Sequence, residues 1–213
     1  NERNWTGEMR GRFSEDTDSD LVQLNGRYSY TRPSRNSNWQ FNAGMNNLFF
    51  GGSPLYTSTE ASTRLQPSVN SVCKPYYNLA AQHQHYYKRP SLNALEAKAS
   101  VGANCSLGRG FSNQLFSAEV AVLSNQALKS TRPGDDRRGW QATLDWQHVS
   151  ETGVYHAQIN HTQLNDRRGY SQLLDSGARR MLGSSYVLLQ YRRPLITNTT
   201  LLINLYHQRQ RSN

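Results

Sequence analysis

The chain has 213 residues, with 24 basic and 15 acidic side chains, a formal charge of +9 and a sequence pI near 9.8. Only 36% of residues are hydrophobic and mean hydropathy is -0.79. No apolar run approaches the ~20 residues of a membrane helix, which excludes a helical membrane protein but not a β-barrel, whose strands are only half apolar. Charged residues make up 18% and Tyr supplies 12 residues, a composition unlike that of disordered chains.

Period-2 alternation dominates, and it predicts strands in chain order. Trp5, Gly7, Met9, Gly11 and Phe13 alternate with Thr6, Glu8, Arg10 and Arg12. Val22, Leu24, Gly26, Tyr28 and Tyr30 alternate with Gln23, Asn25, Arg27 and Ser29, and Trp39, Phe41, Ala43 and Met45 with Gln40, Asn42, Gly44 and Asn46. Weaker segments follow at 58–66 and 78–87. Leu95, Ala97, Ala99, Val101 and Ala103 alternate with Glu96, Lys98, Ser100, Gly102 and Asn104. The pattern recurs with one face at Phe116–Val120–Val122, at Trp140–Leu144–Trp146 and at Tyr155–Ala157–Ile159, and more weakly at 185–192 and 200–211. Successive strand side chains point to opposite faces, so each segment has one apolar and one polar face. Ten or eleven segments of roughly nine to eleven residues match tilted membrane strands. The expected fold is all-β, an antiparallel transmembrane β-barrel of roughly 10–14 strands, with room for missing strands at its termini.

Connections sort into short ones, at 150–153 and 194–199, and long polar ones, at 124–139 and 164–184. Outer-membrane barrels have short turns on one rim and longer loops on the other. Around 49–77 this parity blurs. Asp136-Arg137-Arg138-Gly139-Trp140 recurs as Asp166-Arg167-Arg168-Gly169-Tyr170 in the two long connections. With Arg179 and Arg180 these residues form a candidate outer-rim basic belt, for an anionic ligand or lipopolysaccharide phosphates. The plain alternative is a salt-bridged loop root.

Trp and Tyr gather near strand ends (Trp5, Tyr28, Tyr30, Trp39, Tyr86, Tyr87, Trp140, Trp146, Tyr186, Tyr191), where interface girdles lie. A soluble sandwich would press its apolar faces together about 10 Å apart and favours Ile and Val, whereas Ile is scarce here. The polar faces would then line a lumen, with Glu8, Arg10, Arg12, Arg27, Glu96, Lys98, Glu119 and Asp145 as candidate lining residues. Arg outnumbers Lys by 20 to 4, and Arg suits polar networks. It is scattered, without a basic block, so nucleic acid is not expected as a partner. Cys73 and Cys105 are either one disulfide of an oxidising compartment or two free thiols.

The stretches GWQATLDWQH (139–148), TGVYHAQINHTQLNDRRGYSQLLDSGARR (152–180), YVLLQYRRPL (186–195) and LLINLYHQRQRSN (201–213) resemble the C-terminal barrels of Gram-negative outer-membrane export proteins linked to periplasmic tetratricopeptide repeats. These are the surface lipoprotein assembly modifiers and exopolysaccharide export porins. The resemblance implies a cell outer membrane location and passage of a polymer or polypeptide. It also implies that residues 1–213 are one barrel domain of a longer protein, whose repeat region and aromatic-ended closing strand this sequence lacks.

Other chemistry is weakly supported. His83 and His85 would share a strand face, but no third metal ligand is evident, so neither a metal nor a cofactor is expected. His148, Ser150, Glu151, His156 and His161 are close in sequence, yet no nucleophile-elbow motif occurs and no catalytic residue is assigned, so the chain is not read as an enzyme. The expected function is a physical channel, with long loops gating the outer mouth. Its rivals are a closed surface receptor working through its loops and a soluble carbohydrate-binding β protein.

Overall fold

A computed structural model describes residues 2–12, 21–109, 112–132, 134–169, 179–196 and 199–212. The chain is all-β, with one 3-10 turn at Pro90–Leu92. Its strands are β1 (Glu2–Arg12), β2 (Leu21–Pro33), β3 (Ser37–Phe50), β4 (Ser53–Pro67), β5 (Cys73–Tyr86), β6 (Ala94–Arg109), β7 (Ser112–Ala127), β8 (Arg137–Ser150), β9 (Gly153–Gly169), β10 (Arg179–Ile196) and β11 (Thr199–Ser212). They form one antiparallel sheet of 11 strands whose spatial order is the chain order. Among the described residues, β1 pairs with β2 alone and β11 with β10 alone.

The strands run from 11 to 18 residues, longer than alternation suggests. Backbone pairing continues past the apolar rows into ends that are polar on both faces, where no periodic signal remains. The two stretches taken as long connections shrink accordingly, because β7 persists to Ala127, β8 starts at Arg137, β9 reaches Gly169 and β10 starts at Arg179. The intervals between strands are 3, 5, 2, 2 and 2 residues on one rim and 8, 2, 7, 9 and 9 on the other. The rim asymmetry therefore holds along the whole chain except at β3–β4. There a two-residue turn, Gly51 (φ 53°) and Gly52 (φ 71°), takes the left-handed conformations that suit a tight hairpin. A register shift at Leu48/Phe49 precedes that turn, and it accounts for the blurred parity in this region.

The faces are inverted relative to a soluble protein. Apolar-row side chains lie open, with Val122 63%, Leu79 60%, Leu144 57% and Ile159 51% exposed. The opposite face is polar and half-buried to buried, including Ser58, Ser100, Asn125, Asn160 and Asp166. Among the described residues, the buried hydrophobic side chains are only Tyr76, Ala94 and Ala121. No second layer covers the apolar rows, so the face-to-face core of a sandwich is absent from the described residues.

The polar face is concave, because its side chains reach over intervening strands. Arg27 on β2 meets Glu60 on β4 at 3.0 Å, across β3. The Tyr76 hydroxyl on β5 donates to Glu119 on β7 at 3.0 Å, across β6. Glycine lies beneath both crossings. A Cβ at Gly44 would lie 2.8 Å from Glu60 Oε1, and one at Gly102 would collide with the Tyr76 ring and the Ala118 carbonyl. On the apolar side, Cys73 and Cys105 face each other across β5 and β6 and form a disulfide, the first of the two states that the sequence leaves open.

Gly102→Val should lower the unfolding free energy by about 1–3 kcal/mol, the range for overpacking. Gly26→Val, whose new atoms would meet open space, should change it by no more than ~0.5 kcal/mol. Denaturant midpoints of the two variants check this; equal midpoints would remove the crossing role assigned to Gly102.

Candidate functional site: the concave polar face

Strand register brings the predicted lining residues together. One ladder row runs Thr6, Arg27, Gly44, Glu60, Gln82, Glu96, Asn125, Arg137, Asp166 from β1 to β9. Arg27, Glu96, Lys98, Glu119 and Asp145 all stand on the concave face. Glu8, Arg10 and Arg12 belong to β1 opposite Asn25, Gln23 and Leu21, but their side chains lie outside the described residues.

The charges on this face are mostly engaged. Lys98 pairs with Glu119 at 2.7 Å and donates to Gln141 at 2.8 Å, reaching from β6 over β7 to β8. The Arg64 guanidinium stacks 3.6 Å above the Tyr76 ring, which itself holds Glu119. Glu96 accepts from Asn125 at 3.1 Å. Asp145 bonds His156 at 2.7 Å, and the other His156 nitrogen meets Gln190 at 2.8 Å. Between these pairs lie carboxamides and hydroxyls, such as Gln23 with Asn46, Asn42 with Ser29 and Ser62, and Asn160 with Thr143. The wall thus offers donors and acceptors in alternation, with charges of both signs interleaved. The Arg27–Glu60 pair, with side chains 63% and 45% exposed, borders a groove also lined by Thr6, Asn25, Asn46 and Gln82.

The two long-connection motifs meet at one rim. They sit on strand ends rather than in loops, because β8 and β9 stay paired up to Arg137 and Asp166. Asp166 is 2% exposed and accepts from Arg137 at 2.8 Å and Arg180 at 3.2 Å. Arg167 pairs with Asp136 at 3.3 Å and Arg168 with Asp135 at 3.2 Å. Arg138 and Arg179 are exposed. The loop 128–136 is held down by this network: the Ala127 amide donates to Asp136, and the Arg167 and Arg168 amides donate to the carbonyls of Asp136 and Gly134. Arg132 within it is 7% exposed and donates to Asn125. Burial foremost, then the neighbouring Arg137, lowers the Arg132 pKa, while Asp166 and Asp136 oppose the shift. Gly134 has φ +78°, and a Cβ there would strike the Asp166 carboxylate. The salt-bridged root thus describes most of this cluster, and Arg132, absent from the sequence-based assignment, is a buried basic member of it beside the buried Asp166.

Other candidates disperse. His83 and His85 share the apolar face, where His85 packs edge-on against Tyr87 and bonds Asn93. His148 stacks on Trp146 while the Ser150 hydroxyl bonds Thr152 and the Gly153 carbonyl, so the two are separately engaged. Glu60, Arg64 and Tyr76 are polar-face residues absent from the sequence-based assignment; for Glu60 and Arg64 the reason is that Ser and Thr on both faces of β4 hide its period.

The aromatic rows form two bands on the apolar face. Near the short-turn rim, Tyr30, Trp39 and Phe41 stack in one group, and Phe116, Trp146, His148, Tyr155 and Tyr191 in another. Near the long-connection rim stand His85 with Tyr87 and Trp140 with His161. Tyr86 and Tyr186 depart from the expected girdle. Their parity turns them to the concave face, where Tyr86 packs on Tyr56 and Tyr186 donates to Gln158.

Asp166→Ala should cost about 3–5 kcal/mol, because it leaves Arg137 and Arg180 without their buried counter-charge. Amide hydrogen exchange should accelerate across 128–136 while the β5–β7 amides stay protected, a pattern that separates release of the loop from general unfolding.

No family model, curated protein or solved structure matches the chain.

Proposed function

We propose that this sheet is the wall of a Gram-negative outer-membrane β-barrel, and that a hydrated polymer or polypeptide passes along its concave face. The observation that carries the reading is the inverted burial: exposed Leu, Val, Met and Phe rows on one side and interlocked polar side chains on the other. Such a face gains free energy on leaving water, and a hydrocarbon surrounding would cover all of its rows at once. The two aromatic bands, with Ala, Leu and Val rows between them, fit a hydrocarbon slab with an interface at each edge. A disulfide on the sheet fits an oxidising compartment such as the periplasmic side of the cell.

Transport is the reading because the concave face is rich in carboxamides, and its charges are paired in place. A wall of this kind hydrates a passing chain without holding it by one strong contact. The paired Lys98–Glu119 and Arg27–Glu60 groups set the local field along the path. The longer connections would face outward, with lipopolysaccharide beside them. One observation favours a second reading. Loop 128–136 is tied to the wall through Asp136, Asp166 and Arg132, which would narrow the mouth and suits a closed receptor barrel.

Two measurements test the proposal. Without detergent the purified chain should aggregate, and with phospholipid vesicles it should float; a monodisperse chain in plain buffer would overturn the membrane reading. In planar bilayers, Arg27→Glu with Lys98→Glu should shift ion preference toward cations. Unchanged selectivity in a conducting barrel would remove these residues from the path. Removal of 128–136 should raise conductance in a channel, whereas a receptor barrel would stay closed.

A further inference from the structure

On the apolar face, the long-connection end of β8–β11 departs from the hydrophobic rows. Register places Trp140, Gln163, Gly183 and Arg211 in one row, and Ala142, His161, Ser185 and Arg209 in the next. His207, opposite Val187, continues the β11 series, so three basic side chains occupy alternate positions on one face of one strand. Arg138 stands one row nearer the rim, opposite Asn165. No acidic residue occupies these positions, and Arg138, Arg209 and Arg211 are exposed.

The rows also have a shape. Gly183 and Ser185, same-face neighbours on β10, are both small, and a Cβ at Gly183 would meet nothing within 4 Å. On one side of this floor stand Trp140 and His161, with ring centroids 5.0 Å apart, and the His161 Nδ1 meets the Ser185 hydroxyl at 2.7 Å. On the other side stand Arg209 and Arg211. The result is a shallow trough with an aromatic wall, a small-residue floor and a cationic wall. It opens away from the concave path and lies at the level of an interfacial aromatic.

We propose that this trough binds the phosphorylated headgroup of a lipid in the surrounding leaflet. The inference rests on the membrane reading above and adds a ligand class at a different face. Arg209 and Arg211 supply planar forks that match phosphate oxygens, and Arg138 closes the site from the rim. Trp140 offers the amphipathic ring that the headgroup zone favours, and the Gly183–Ser185 floor gives the headgroup room to approach the backbone. Charge complementarity selects an anionic lipid over a zwitterionic one.

The test uses the full chain in phosphatidylcholine nanodiscs doped with diphosphorylated lipid A, with lipid retention read by native mass spectrometry. Arg209→Glu with Arg211→Glu should lower lipid A retention about tenfold or more. Gly183→Trp keeps every charge, fills the floor and should lower retention as well. Arg193→Glu, on the same face at the opposite rim, should leave retention unchanged and controls for net charge. Equal retention by all variants would overturn the trough, and so would displacement of lipid A by millimolar inorganic phosphate or equal affinity for an acidic peptide. Incorporation into the discs is scored separately: a chain that never incorporates refutes the membrane reading, whereas one that incorporates without lipid preference refutes the trough alone.

Discussion

The structure depends on giving each strand two unlike faces, one apolar and open, the other polar and interlocked. Hydrogen-bonded ladders join each strand to the next from β1 to β11, broken only by local register shifts such as Leu48/Phe49 and Arg179/Met181, so among the described residues most backbone polarity inside the sheet is satisfied. Side chains then divide by parity alone. Leu79, Val101, Val122, Leu144 and Leu205 stand bare on one side, and each would gain free energy on leaving water, at roughly 25 cal/mol per Å² removed. No partner layer collects that gain among the described residues. Under the membrane reading the bilayer supplies it, and the surrounding medium becomes a component of the fold.

The concave side solves the complementary problem. Its charged and polar groups are joined by reaching over strands: Arg27 to Glu60, Tyr76 to Glu119, Lys98 to Gln141. Such reach needs curvature and a missing side chain under the crossing, which Gly44 and Gly102 provide. Strand glycines are costly in propensity, so their places record a requirement of the wall rather than of the local backbone. At the rim the same logic tightens. Asp166 is buried because two guanidiniums and the edge of a loop close on it, and a buried side chain of this kind is tolerated only with such partners in place.

Much of this was legible from residue order. A count of ten or eleven segments, the parity of each strong segment and the identity of the polar face follow from alternation, which responds to one side facing apolar surroundings. What alternation could not reach has physical reasons. Strand ends at Arg137 and Gly169 are polar on both faces, so they read as loop although the backbone still pairs. Around β4, Thr57, Thr59 and Thr63 on one face resemble Ser58 and Ser62 on the other, which hid Glu60 and Arg64. The pairing of Cys73 with Cys105 depends on the register of β5 against β6, a long-range quantity. The recurrent Asp-Arg-Arg-Gly motif was visible, but its meaning lay in which Asp met which Arg across β8 and β9. A turn signal at Gly134-Asp135 was present beside Arg132, with nothing to show that its loop folds back onto the wall.

The two edges carry the last structural demand. In water, unpaired amides and carbonyls on β1 and β11 would simply be hydrated. In hydrocarbon, each unmet group costs several kcal/mol, and a strand of 11 or 14 residues exposes many of them. β11 shows the tension most sharply. Leu201, Leu202, Ile203, Leu205 and Tyr206 are exposed on both of its faces, so parity no longer separates its two sides. Its outer edge, like that of β1, carries backbone donors and acceptors whatever its side chains are, and the membrane reading therefore requires that both edges be met by another strand. Closure is thus a condition of the same physics that leaves the apolar rows bare, and a sheet kept open in the bilayer would contradict the proposal as surely as one soluble in water.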